Sequence, residues 1–156
     1  MICVGVGQDS HRFLNEKSAK RFVIGGVTLD EIGLDADSDG DVILHAICNA
    51  ITSITHVPIL GDIAIKMCRE GFTDSRRYVA EALKTLEQRQ IVHIALTVEL
   101  KKPRLQQHCI AIRQSVADIL GIDASQVGLT CTSGNGLTDF GKGLGVQCFC
   151  NLTVTT

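Results

Sequence analysis

The sequence predicts an α/β protein of the α+β sandwich kind: a small β-sheet with helices on one face. Three observations carry that reading. Segments with helical apolar spacing alternate along the chain with short β-branched runs. The length of 156 residues suits one ordinary domain, 1–156, and 45% apolar residues suffice for one packed interior. The last apolar run, VQCFCNLTV, is apolar at both parities, as a strand is when neither of its faces meets water. The helices suffice for one face only, so the other is expected to be buried against neighbouring subunits.

The elements follow in order. Residues 2–6 form an apolar strand that ends in Gly-rich sequence and leads to a turn. RFVIGG predicts a second strand at 22–25, with 27–29 returning toward the site, and 30–38 reads as an acidic turn. From Asp41, VILHAICNAITSI carries helical spacing to about Ile54, with Asp39 or Asp41 as its cap and Gly40 suited to a sharp start. Pro58 and Gly61 end that segment. A second helix is expected from about Asp74 to Arg89, with Asp74 as its cap and Val79, Leu83 and Leu86 inward. IVHIALTVEL, 91–100, is the clearest strand because β-branched residues recur through it. Residues 106–120 read as an amphipathic helix closed by Gly121. A strand at 127–132, a Gly-rich segment at 134–145 and a final strand at 146–154 complete the chain.

Composition removes several functions. Lys+Arg total 15 against 17 Asp+Glu, a formal charge of -2, so nucleic acid is not an expected partner. The chain has no Trp and one Tyr, which argues against an aromatic stacking platform. High apolar content at low net charge argues against disorder. The seven Cys are odd in number, lie mostly in apolar runs and form no CxxC pair, so they read as buried thiols in a reducing compartment. Polar residues interrupt MICVGVGQDSHRF before a signal-length apolar segment forms, and no run reaches membrane-spanning length. The expected location is the cytoplasm, or the plastid stroma after removal of a transit peptide, with no membrane partner.

The main chemical signal is Asp9-Ser10-His11. Residues at i and i+2 of an extended strand share a face. Alone, the pair reads more readily as a turn aspartate bonded to amides beside an exposed histidine. His45 lies early in the helix opened by DSDGD. Together the three supply one oxygen and two imidazole nitrogens, a common ligand set for zinc with a fourth position open, whereas Mg prefers more oxygen. Asp37, Asp39, Asp41 and Asp62 crowd the same region. They are either a solvated acidic loop or a division of labour in which one orients a ligand imidazole and others meet a cation or a sugar hydroxyl. Near the C-terminus, TCTSGNGLTDFGKGLG sets Thr132 and Ser133 among glycines, as in a loose hairpin or an anion cradle; it is neither a Walker loop nor a dinucleotide fingerprint. Lys101, Lys102, Pro103 and Arg104 follow the clearest strand and suit either a phosphate contact or a solvated basic turn.

GQDSHRF (7–13), DSDGDVILHAICNAI (37–51), LGDI (60–63) and GKGLG (141–145) resemble the 2-C-methyl-D-erythritol 2,4-cyclodiphosphate synthase family, and the resemblance spans essentially the whole chain. It implies a homotrimer whose sheets line a central, largely apolar cavity, with active sites between adjacent subunits and an isoprenoid diphosphate as a further cavity ligand. It implies a divalent metal, usually Zn, on Asp9, His11 and His45, and a second divalent cation, Mg or Mn, with the diphosphate. The implied substrate is 4-diphosphocytidyl-2-C-methyl-D-erythritol 2-phosphate, whose 2-phosphate attacks the β-phosphorus and expels CMP. Catalytic positions fall on Asp37 and Ser133. Substrate contacts fall on Asp9, His11, Asp37, Ser38, Asp62, Leu100, Pro103, Arg104, Leu105, Thr132, Ser133, Asn135 and Lys142, the cytidine pocket lying around 100–106 and 130–133.

The chain also departs from the family pattern. Asp37 replaces the usual His before SDGDV, Ala64 a Gly, Asn135 the Glu of the second metal, and Leu144 the Glu of the GxGEG tail. The loop after LGDI lacks a Phe-Pro-Asp element and is about four residues shorter than the family's. An active but divergent enzyme is expected, with its difference in the second-metal step. The alternatives are a trimeric nucleotide- or isoprenoid-diphosphate-binding relative without turnover, or another metal-dependent phosphohydrolase.

Overall fold

A computed structural model describes residues 1–156. The first strand, β1, covers Ile2–Arg12 and so runs well past the apolar segment at 2–6. Every residue of it pairs with the last strand, β6 (Gly145–Thr155), from Ile2 opposite Thr155 to Arg12 opposite Gly145. That ladder keeps Gln8–Arg12 extended despite their polarity, and it places Asp9-Ser10-His11 inside a strand rather than in a turn.

β2 (Arg21–Ile24) and β3 (Val27–Ile32) form a two-stranded hairpin. The acidic segment expected to be a turn from residue 30 therefore continues the strand through Ile32. The main sheet has the order β1-β6-β4-β5, with β4 at Gln90–Glu99 and β5 at Val127–Thr132. β6 is antiparallel to both β1 and β4, while β5 is parallel to β4. The C-terminal ends of β1, β4 and β5 thus lie at one end of the sheet.

α1 (Val42–Thr55) is apolar enough to be almost wholly buried, from Val42 to Ile51. It packs on β1 and β6, with α3 (Ser75–Lys84) against it. α4 (Cys109–Leu120) packs against β5. Asp41 caps α1, its side chain accepting from Leu44 N at 3.1 Å, and Asp74 caps α3 through Arg76 N. α3 stops at Lys84 rather than 89, and α4 starts at Cys109 after a single 3₁₀ turn. α2 (Asp62–Arg69) was not expected. It is short and buries no residue fully, but Asp62 in its first turn and Lys66 and Arg69 in its last complement the helix dipole.

The helices thus cover one face of a small mixed sheet. On the other face Ile2, Val4, Val6 and Phe149 stay 49–72% exposed, a contiguous apolar strip on adjoining strands. His93 is exposed beside a bulge in β4. All seven cysteines are free thiols.

Candidate functional site

Glycine sets the first contact. Gly5 and Gly7 share the face of β1 that carries Asp9 and His11, and that face lies directly on the backbone of α1. A Cβ at Gly7 would sit 2.0 Å from the Ala46 carbonyl oxygen, and one at Gly5 2.2 Å from that of Ala50. Side chains of α1 also satisfy the outer edge of β1: Asn49 donates to the Gln8 carbonyl at 3.0 Å and Ser53 accepts from Val6 N at 3.0 Å. The close approach puts Asp9 and His11 against His45, on the first turn of α1.

The three side chains converge. Asp9 Oδ2 lies 3.0 Å from His11 Nε2 and 3.1 Å from His45 Nδ1, and the two nitrogens are 3.3 Å apart. A tetrahedral zinc with bonds of about 2.0–2.1 Å separates its ligand atoms by about 3.3 Å, so the trio fits three corners of one coordination sphere. The ion-pair partners of Asp9 are these histidines, with no lysine or arginine competing. Burial alone would raise the Asp9 carboxyl, but hydrogen bonds from His11 and His45, and then their charges, outweigh it and hold the group below the usual carboxylate value. The ligand oxygen is therefore ionised and the residues present fit a divalent cation.

The acidic stretch divides by residue. Asp41 is fully buried and also accepts from Gly25 N at 2.8 Å and Gly26 N at 2.7 Å, tying the hairpin to the start of α1. Burial raises its carboxyl to about 6, with the charge of Asp39 adding to the shift, while those amides and Leu44 N oppose the rise. Asp39 accepts from Ser75 N at 3.0 Å and from Ser75 Oγ at 2.5 Å. Ser75 Oγ in turn is 2.8 Å from His45 Nε2, and Ser38 Oγ is 3.4 Å from the same nitrogen. Asp37 and Asp62 are exposed, Asp62 on α2 rather than in a loop.

A second group gathers at the far edge of the sheet, beyond the ends of β4 and β5. Leu100, Pro103, Arg104, Leu105, Thr132, Ser133, Asn135 and Lys142 line one cavity of about 670 Å³. Leu100 and Leu105 form buried apolar wall, while the hydroxyls and charges face outward. Its lining shares no residue with the Asp9–His11–His45 cluster. Glu99 was missed in the sequence. It accepts from Thr138 Oγ1 and, at 2.8 Å, from Gln147 Nε2, so it pins the loop that carries Ser133, Asn135 and Lys142. Gly134 makes room for it, because a Cβ there would meet the Glu99 carboxylate. Ser75 was also missed; it reads only as the first residue after a helix cap. The one available signal was a third Asp-Ser pair, at 74–75, to set beside those at 9–10 and 37–38.

A small mixed sheet with helices on one face, and an Asp-His-His cluster shared between its edge strand and the helix packed on it, defines an α/β protein with a donor set fit for a divalent cation. The chain belongs to the YgbB family, whose sequence model matches residues 2–155. Its relatives include the 2-C-methyl-D-erythritol 2,4-cyclodiphosphate synthase of Chlamydia felis, 52% identical over 154 residues, 97% of this chain and 88% of that protein. The corresponding synthase of Chlamydia trachomatis is 46% identical over 97% of this chain and 86% of its own length. A solved 2C-methyl-D-erythritol-2,4-cyclodiphosphate synthase matches 98% of this chain and all of its own with a TM-score of 0.83 at 26% identity. The enzyme from Plasmodium vivax, at 24% identity, shares the fold with a TM-score of 0.84 over 99% of this chain and 98% of its own.

Proposed function

We infer that this chain is a 2-C-methyl-D-erythritol 2,4-cyclodiphosphate synthase. It converts 4-diphosphocytidyl-2-C-methyl-D-erythritol 2-phosphate to the 2,4-cyclodiphosphate and CMP. The observation that carries this reading is the Asp9, His11 and His45 cluster in a chain that aligns over 97% of its length with a synthase 52% identical.

Asp9, His11 and His45 hold a divalent cation, and their donor set favours zinc. Bound there, it supplies Lewis-acid stabilisation of charge on a phosphoryl oxygen. The chain's own groups do the positioning. Thr132 and Ser133 present hydroxyls to the diphosphate, Arg104 and Lys142 supply positive charge, and Leu100, Pro103 and Leu105 wall the pyrimidine. Ser38 and Asp37 stand on the metal side, and Asp62 takes a ribose hydroxyl. With nucleotide and 2-phosphate both held, the 2-phosphate oxygen bonds to the β-phosphorus as the bond to the α-phosphate breaks and CMP leaves. Such a reaction gains mainly from orientation and preorganised charge. Asn135 offers a second cation, Mg or Mn, a neutral oxygen and no charge.

The same reading takes the chain as a homotrimer, and the positions of the two groups support it. The metal cluster is on β1 and the cavity beyond β5, opposite edges of the sheet but at one end of it. Three strand spacings of ~4.8 Å, about 14 Å, separate those edges. In a threefold assembly the cavity of one copy would meet the metal cluster of the next, and the exposed apolar strip of Ile2, Val4, Val6 and Phe149 would face a shared interior. That interior suits the chain of an isoprenoid diphosphate. The test is phosphorus NMR of the purified protein with the diphosphocytidyl substrate, Zn and Mg or Mn. Cyclic diphosphate appearing in step with CMP supports the reading. Intact substrate with folded, zinc-loaded protein contradicts it, and a linear product reassigns the chemistry to hydrolysis.

A further inference from the structure

Ser75 lies on α3, outside the ligand cluster, yet its hydroxyl is the nearest polar atom to the outer nitrogen of His45, at 2.8 Å. Ser75 is fully buried and His45 nearly so, so no bulk water competes for either group. The direction of the hydroxyl proton follows from its other neighbour. Asp39 Oδ1 is 2.5 Å from Ser75 Oγ and accepts from it, a carboxylate oxygen offering lone pairs. Ser75 therefore donates to Asp39 and has only lone pairs left for His45. Asp39 is itself held from several sides: Ser75 N donates to Oδ2 at 3.0 Å, Asp41 N to Oδ1 at 3.0 Å, and its own amide donates to the Thr73 carbonyl at 2.9 Å. The remaining neighbour, Ser38 Oγ, is farther from His45 at 3.4 Å and already accepts from Gly40 N at 3.1 Å.

We propose that Ser75, oriented by Asp39, is a positioning residue for the metal centre: it accepts the Nε2 proton of His45 and thereby commits Nδ1, the nitrogen facing Asp9 and His11, to the metal. The chain from Asp39 through Ser75 to His45 joins three separate segments, the acidic loop, the start of α3 and α1. It fixes both the tautomer and the tilt of the ring, as a hydrogen-bond partner behind a ligating histidine does in metal sites generally. The proposal rests on the metal-binding reading above and deepens it.

The experiment measures zinc, not turnover alone. Zinc affinity of the full-length protein is determined by competition with a chromophoric chelator for wild type, Ser75→Ala, Ser75→Thr and Asp39→Ala. The His45 ring is observed by ¹H–¹⁵N correlation of the zinc-loaded protein labelled at histidine. The wild type is expected to show a slowly exchanging Nε2 proton. Ser75→Ala and Asp39→Ala are each expected to weaken zinc binding about 10–100-fold and to speed that proton's exchange, whereas Ser75→Thr, which keeps the hydroxyl, restores both. If the threonine methyl prevents folding, Ser75→Ala serves alone, because Asp39 also accepts from the amide of Asp41, the cap of α1. Unchanged zinc affinity and an unchanged Nε2 signal in Ser75→Ala overturn the proposal, whatever happens to its melting temperature. The two readings fail separately: an inactive wild type with the protected Nε2 proton sinks the cyclase, and an active wild type whose Ser75→Ala form binds zinc normally sinks the relay.

Discussion

The metal cluster depends on how closely β1 lies on α1, and Gly7→Ala tests that dependence. The added methyl would begin 2.0 Å from the Ala46 carbonyl oxygen and 2.4 Å from Ala50 N, both backbone atoms that no rotamer change can remove. Ordinary non-bonded contacts of carbon lie at about 3.5–4.0 Å, so the strand must retreat by about 1 Å or more. Asp9 and His11 are two and four residues farther along the same strand, and their ligand atoms now sit 3.0–3.3 Å from one another and from His45. Metal–ligand distances tolerate only about 0.2 Å. The displacement therefore detaches part of the site, and zinc affinity should fall about 100-fold or more, ~2.7 kcal/mol. Overpacking of this kind costs a further 1–3 kcal/mol of fold stability, roughly. The assay is chelator competition for zinc beside thermal unfolding of the metal-free protein. Gly128→Ala is the control, since a Cβ there meets nothing closer than 3.6 Å. Wild-type zinc affinity in a folded Gly7→Ala protein would refute the claim that close packing builds the site.

The ligand role of His45 predicts that His45→Ala loses most bound zinc and activity but keeps its oligomeric state, as metal analysis and sedimentation together would show. Asn135→Glu adds the charge missing from the diphosphate loop and should sharpen dependence on Mg or Mn; an unchanged cation titration would assign that role to another group. Burial pushes the Cys48 and Cys150 thiols up to about 12, with the charges of Asp41 and Asp9 adding to the shift at Cys48. The unfolded chain loses those protons near 9, so it binds fewer protons than the fold between the two values and stability falls as pH rises through that window. At pH 10 each thiol should cost about 1.4 kcal/mol, and urea unfolding at pH 8 and 10 measures it. The same thiols should resist alkylation at pH 8 until the protein unfolds.

Periodicity made most of this fold legible. VILHAICNAI reads as a helix and IVHIALTVEL as a strand because their apolar spacing has different periods, and both form where expected. The ligand trio was legible for a similar reason, since Asp9 and His11 are two apart on a strand and so share a face. The far half of β1 was not. Gln8, Ser10 and Arg12 are polar and Gly7 weakens any strand signal, so its extension depends on pairing with a segment some 140 residues away. α2 was hidden because its stripe of Ala64, Met67 and Cys68 is only half-buried. The acidic cluster could not be resolved at all by composition. Asp41 caps a helix, Asp39 holds Ser75 and Asp37 stays exposed, and only the approach of α3 to the loop separates those roles. Ser75 and Glu99 were missed for the same reason, because each acts on a partner 30 or more residues away.

The most direct test of the account is a zinc titration of metal-free protein in the presence of the diphosphocytidyl substrate and saturating Mg, with CMP and cyclic diphosphate followed together. The account predicts no turnover without zinc, a linear rise that breaks at one zinc per chain, and equal amounts of the two products throughout. Full turnover in metal-free protein, or CMP released without the cycle, would contradict it.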